Sequence, residues 1–170
     1  LQKYSQGLFD HSINVSFLSV FFGMRMDYTD KTTLGNLAIG GLLHDIGKAT
    51  FEDQKIDESH PAMKEHPRVG KQFLDSHKGI SHEVRKIIMQ HHEFLDGSGY
   101  PNKLRGLAIY DLARIVAIAN VYDNLVTQCK ISKAKNCVPQ AIDKLEKEYV
   151  EKLDPKKLQK IIGILRSSFV

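Results

Sequence analysis

Two pairs of adjacent polar side chains, His44-Asp45 and His91-His92, each stand at the end of an apolar run, with His66 between them in the chain. The first pair follows Gly40-Gly41-Leu42-Leu43 and precedes Ile46-Gly47-Lys48; the second follows Val84-Arg85-Lys86-Ile87-Ile88-Met89. Burying an imidazole and a carboxylate without partners costs several kcal/mol. A divalent cation would satisfy both at once, whereas the competing reading is a buried polar network. Adjacent helical residues diverge by about 100°, so neighbouring ligands reach different sides of one ion or two different ions. That favours two metals with a carboxylate such as Asp45 between them. Nitrogen and oxygen donors without thiolate suit Fe, Mn, Co, Ni or Zn rather than Ca or Mg.

The chain has eight histidines, and neighbourhood separates them. His60, His77 and His82 lie in polar surroundings and are expected at the surface. The hydrophobic period is helical nearly throughout. Ser12 to Met26 reads as a first helix, with Ile13, Phe17, Val20 and Phe21 on one face, and Thr33 to Asp45 as a second. Glu52 to Ser59 is polar and aperiodic, which suggests a loop. Pro61 suits the first turn of a third helix reaching about Asp75, and Glu83 to His92 forms a fourth. The turn-rich stretch Asp96-Gly97-Ser98-Gly99-Tyr100-Pro101 closes it. Ala108 to Thr127 is the most apolar segment and is expected as a central helix. Pro139 to Glu151 and Pro155 to Phe169 read as amphipathic helices. Ile161, Ile162, Ile164 and Leu165 form a stripe facing either the core or a dimer partner. The fold class is all-α, a compact bundle of about seven helices.

At 170 residues, 42% hydrophobic and 26% charged, the chain suits one globular domain. No apolar stretch reaches the roughly 18 to 20 residues of a membrane span. The chain begins at Leu1, so it reads as an excised domain that lacks an N-terminal regulatory or sensory segment. A net charge of +4 fits an anionic ligand. It is no DNA or RNA footprint, since the lysines from Lys130 to Lys160 alternate with acids in the manner of a solvated helix face. Cys129 and Cys137 show no CxxC spacing and are expected as free thiols in a reducing cytoplasm.

The series Leu43-His44-Asp45-Ile46-Gly47-Lys48, His66-Pro67, and His91-His92-Glu93 through Asp96-Gly97-Ser98-Gly99-Tyr100-Pro101 resembles the HD-GYP family, a subgroup of the HD phosphohydrolases. The match runs from about residue 8 to residue 127, with C-terminal helices at 139–169 completing one domain over 1–170. Such domains are all-helical and hydrolyse cyclic di-GMP to pGpG or GMP at a two- or three-metal centre, often iron. By position, the resemblance implies metal ligands at His11, His44, Asp45, His66, His91 and His92, with Asp45 bridging two ions. Asp45 and Lys48 would serve catalysis, Lys48 also contacting substrate phosphate. Gly99, Tyr100 and Pro101 would form the substrate-binding signature loop. The cofactor implied is two divalent transition-metal ions, iron first, then Mn, Zn, Co or Ni.

Three positions depart from the family pattern. Gly7 stands where three-metal members carry a glutamate, so two metals are expected. Asn120 occupies the last ligand position, normally an aspartate; its amide oxygen can coordinate but brings no charge. Asp123, one turn on, is expected to act behind the ligands. Cys129 falls where the family has a phosphate-gripping arginine, leaving Lys130 or Lys133 to compensate. The segment from Lys48 to His66 lacks the usual Lys-Pro-Gly loop, which implies a more open site. An aromatic in a glycine-rich turn can simply pack its loop, which is the plainer reading of Tyr100; Phe94 is expected to pack rather than to stack on a base. Three functions follow. The first is a cyclic di-GMP phosphodiesterase. The second is a weakened domain serving as a cyclic-dinucleotide sensor or protein-interaction module, with a homodimer or signalling partner. The third is a phosphohydrolase for another nucleotide.

Overall fold

The computed structural model describes residues 2–52 and 60–168. They form α1 (Gln2–Arg25), α2 (Lys31–Leu43), the single turn α3 (Ala49–Glu52), α4 (His66–Asp75), α5 (His82–Gln90), α6 (Asp111–Ile131), α7 (Cys137–Glu148) and α8 (Pro155–Ser167). Short 3-10 turns occupy Ile46–Lys48, Pro61–Glu65 and Gly106–Ala108. No strand occurs among the described residues, and the all-α expectation stands. The loop read at 52–59 falls almost wholly outside them, as does the openness inferred from it.

Local chemistry sets the helix starts. Asp30 accepts the Thr33 amide at 2.7 Å, Ser81 the Val84 amide at 3.1 Å, and Asp154 the Lys157 amide at 3.1 Å, so α2, α5 and α8 each begin on a side-chain cap. Pro155 follows at the first position of α8, where its missing N–H costs nothing.

The long apolar run becomes α6, whose Ile115 to Ala119 are at most 1% exposed. Around it pack Val15 and Phe22 of α1, Leu37 of α2, Ile87 of α5 and the inner faces of α7 and α8. Of the α8 stripe, Ile161, Ile162 and Leu165 join this core, and Ile164 is buried as well. On α1 the face read from the sequence is split, with Val20 and Phe21 packed against the core. Ile13 and Phe17 are 44% and 69% exposed, while Val15, Ser19 and Phe22 are fully buried. The apolar residues run nearly all round this helix, so periodicity cannot choose the inner face.

The cysteines also correct the sequence reading. Cys129 near the end of α6 and Cys137 at the start of α7 form a disulfide, with a Cα–Cα distance of 5.4 Å. Lys133 and Asn136 adopt positive φ and reverse the chain between the two helices. A spacing of eight positions carries no sign of that reversal.

Candidate metal centre

Three helix ends and the middle of one long helix deliver the ligand-type side chains. His44 is the C-cap of α2; the backbone then leaves the helix at Asp45 and turns through Ile46–Lys48. His66 opens α4, and His91 caps the end of α5 with His92 beside it. His11 comes from the middle of α1. Gly47 lets this turn lie against α4, since a Cβ there would collide with the carbonyl oxygen of His66. That contact sets Asp45 and His66 side by side.

The imidazoles are oriented by their Nδ1 atoms. Nδ1 of His44, His66 and His91 lies 2.7, 2.7 and 2.8 Å from the carbonyl oxygens of Gly41, Met63 and Ile88, each three residues earlier. Nδ1 of His11 lies 2.6 Å from Asp123 Oδ2. A carbonyl oxygen only accepts, so each of the first three Nδ1 atoms carries the proton and each Nε2 is left with a lone pair. These lone pairs converge. Nε2 of His66 and His91 stand 3.2 Å apart, and those of His11 and His44 stand 3.3 Å apart.

Asp45 sits between the two sets. Its Oδ1 is 3.0 Å from His66 Nε2 and 3.6 Å from His91 Nε2, while Oδ2 is 3.3 Å from His44 Nε2 and 3.9 Å from His11 Nε2. Lys48 Nζ reaches Oδ2 at 2.8 Å. The donors of Asp45, His66, His91 and His92 form one group and those of His11, His44 and Asp45 another, each spanning no more than 4.8 Å.

Burial fixes the charge states. It pushes the His91 imidazole down to about 3, and it lowers His92 too, with the neighbouring His91 adding to the effect. Burial acts on Asp45 in the opposite sense, but His44, His66 and His91 outweigh it and hold the carboxyl well below its usual range. The result is neutral His91 and His92 beside a carboxylate. Asp45 Oδ1 is buried and has no hydrogen-bond donor. Acceptors facing acceptors in a dry interior are costly. A cation between them removes the conflict, so this donor set suits a divalent metal.

Behind His11, Asp123 Oδ1 accepts from Asn14 Nδ2 at 3.0 Å while Oδ2 lies 2.6 Å from His11 Nδ1, the contact through which a carboxylate orients an imidazole. Asn120 is buried, and its Oδ1 accepts from Asn124 Nδ2 at 2.9 Å. Gly7 is exposed, and a Cβ there would meet nothing within 4 Å. His60, His77 and His82 are exposed, as read from their neighbours.

The signature loop is held by a carboxylate whose role the sequence reading did not assign. Buried Glu93 accepts the amides of Asn102 and Leu104 at 2.7 and 2.9 Å. Tyr100 N donates to the His92 carbonyl at 3.1 Å. Gly99 is tightly enclosed, because a Cβ would strike the His92 carbonyl and the Phe94 amide. Pro101 follows Tyr100 through a cis peptide. The Tyr100 ring stacks on His92 at 4.5 Å and 23°. Tyr100, Lys48, His66, His92 and Asn120 line one cleft of about 300 Å³. Gln128, not Lys130 or Lys133, lines that cleft where the arginine was expected to be replaced.

A family model described as HD domain matches residues 3–156. A cyclic di-GMP phosphodiesterase of Vibrio cholerae is 41% identical over 98 residues, half of this chain and 20% of that protein. The cyclic di-GMP phosphodiesterase PdeB of Borreliella burgdorferi is 28% identical over 165 residues, covering 92% of this chain and 42% of PdeB. The chain thus spans less than half the length of either. Among solved structures, the HDG"Y"P protein Bd1817 from Bdellovibrio bacteriovorus superposes with a TM-score of 0.77 at 29% identity, over 94% of this chain and 52% of that one. With the matched region enclosing every imidazole gathered around Asp45, the chain belongs to the HD domain family.

Proposed function

We propose that the chain is a metal-dependent phosphodiesterase that opens cyclic di-GMP. The convergence of four imidazole Nε2 atoms on one buried carboxylate carries this reading. His11, His44, Asp45, His66, His91 and His92 would hold two divalent transition ions, with Asn120 the weakest ligand candidate. When bound, the ions supply Lewis-acid polarisation of a phosphoryl oxygen and a water of lowered pKa. The chain's own residues do the rest. Lys48 Nζ, poised beside Asp45 and lining the cleft, offsets charge growing on the phosphate. Tyr100, fixed against His92, bounds the place where the nucleotide lies. Hydrolysis adds the water oxygen to phosphorus, and the ribose oxygen leaves with a proton. The relatives named as cyclic di-GMP phosphodiesterases support the substrate.

One observation favours a second reading. Asn120 brings an amide to the family's last ligand position, and its oxygen already accepts from Asn124. A weaker hold on one ion suits a domain that binds the dinucleotide without turning it over. Anaerobic incubation with cyclic di-GMP, then chromatography of products and metal analysis of the same sample, separates the two. Linear pGpG or GMP supports hydrolysis, binding without product supports the sensor, and neither overturns both. Asn120→Asp should raise metal occupancy or turnover; an unchanged variant counts against the amide argument.

A further inference from the structure

The cleft beside the metal centre is lined by further residues to which hydrolysis assigns no role. Beyond His92 and Tyr100, the same space is lined by Phe94, Asn124, Gln128 and Tyr149. Phe94 and Tyr149 meet edge to face at 6.2 Å and 63°. The Lys152 ammonium lies 5.8 Å from the Phe94 ring centre and 5.5 Å from that of Tyr149. Backbone bonds brace this wall, Leu95 N donating to the Lys152 carbonyl at 2.7 Å and Lys152 N to the Tyr149 carbonyl at 3.1 Å. The turn after α7 is thereby pinned to the segment that carries His91 and His92. Asn124 and Gln128, which also line the cleft, stand one turn apart on α6, on the same face as Asn120.

The geometry points to a nucleobase subsite: Tyr149, backed by Phe94, takes the face of a purine, and the amides of Asn124 and Gln128 meet its edge. It rests on reading the metal end as the place for a phosphate. Aromatic rings accept any base by stacking, and a side-chain amide offers both a donor and an acceptor to a base edge. About 300 Å³ is the low end for a small-molecule site. One base with its phosphate therefore fills the cleft, and the second base of a cyclic dinucleotide stays outside. Recognition then depends on one nucleotide half.

The test compares two probes that share a phosphate and differ by the base. Metal-loaded protein is titrated calorimetrically with GMP and with ribose 5-phosphate, and folding of each variant is checked by its melting curve. GMP should bind at least about ten-fold tighter than ribose 5-phosphate. Tyr149→Ala should erase most of that ratio while leaving ribose 5-phosphate affinity unchanged, and Tyr149→Phe should restore it. Gln128→Ala should lower GMP affinity a few-fold. Equal loss for both probes marks Tyr149 as merely structural and overturns the subsite, as does a wild type that does not prefer GMP or binds neither probe. A GMP preference with no hydrolysis of cyclic di-GMP keeps the subsite and removes the enzyme. Hydrolysis without a GMP preference does the reverse.

Discussion

Two polar clusters are built on α6, and they follow opposite logic. Near the start of α6, the Tyr28 hydroxyl donates to Asp111 Oδ2, and Lys157 Nζ reaches that same oxygen and the tyrosine oxygen, each at 3.2 Å. Arg114 donates to Asp154 at 3.0 Å and to the Ile109 carbonyl at 2.9 Å. Each donor there meets an acceptor and each charge its opposite. In the middle of α6, by contrast, imidazole lone pairs face one another and an anionic Asp45 whose Oδ1 lacks a donor. The matched cluster can close by itself and docks α8 onto the core. The mismatched one is complete only with a cation. Polarity is shared by both, and pairing is what separates a structural network from a binding site.

Several experiments press on that contrast, the largest effect first. Stripping metal from protein held at 100 to 1,000 times the metal Kd should lower stability by about 3–4 kcal/mol. His91→Ala should sharply reduce the metal load. Thermal melts with and without chelator, beside elemental analysis, check both; a wild type whose melt ignores the chelator would erase the difference between the clusters. Asp123→Ala should release His11 and weaken metal binding about 10–100-fold, since the carboxylate only orients the ligand. Competition with a metal-binding dye measures it, and an unchanged affinity would remove Asp123 from the site.

Arg114→Ala should behave in the other manner. It leaves buried Asp154 short of a partner and should cost about 1–3 kcal/mol in denaturant unfolding while the metal load stays unchanged. The smallest effect is acidic. Burial pushes Asp111 up, but hydrogen bonds from Tyr28 and Lys157 win and lower its carboxyl. A carboxyl lowered on folding stabilises above its unfolded pKa, about 3.9, and loses that contribution as pH falls through its lower folded value. Lys157 is raised, burial again opposing and Tyr28 and Asp111 prevailing, so its share fades only above its ordinary value of about 10.4. Between those limits the cluster should be insensitive to pH. Asp111→Asn should flatten the acid limb of stability alone, and an unaltered limb would show that Asp111 gains nothing from its partners.

Much of this was legible in the chain. The apolar run of α6, the proline start of α8, and the placing of His44-Asp45 and His91-His92 at helix ends follow from local pattern. So does the surface position of His60, His77 and His82. The inner face of α1 was not legible, because Ile13, Phe17, Val15 and Phe22 surround the helix and tertiary packing chooses among them. Glu93 gave no signal beyond its place after the histidines, since its partners are backbone amides of a folded loop. Tyr149 enters the cleft only because Lys152 pairs with Leu95 across more than fifty residues, and the cysteine bridge depends on two positive-φ residues. Long-range closure of that kind leaves no period to read.

The most direct test is a crystal of iron- or manganese-loaded protein measured at the metal's absorption edge. Two anomalous peaks are expected, one between the Nε2 atoms of His66 and His91 and one between those of His11 and His44, with Asp45 touching both. Peaks elsewhere, or none around Asp45 in protein shown by elemental analysis to carry metal, would contradict it.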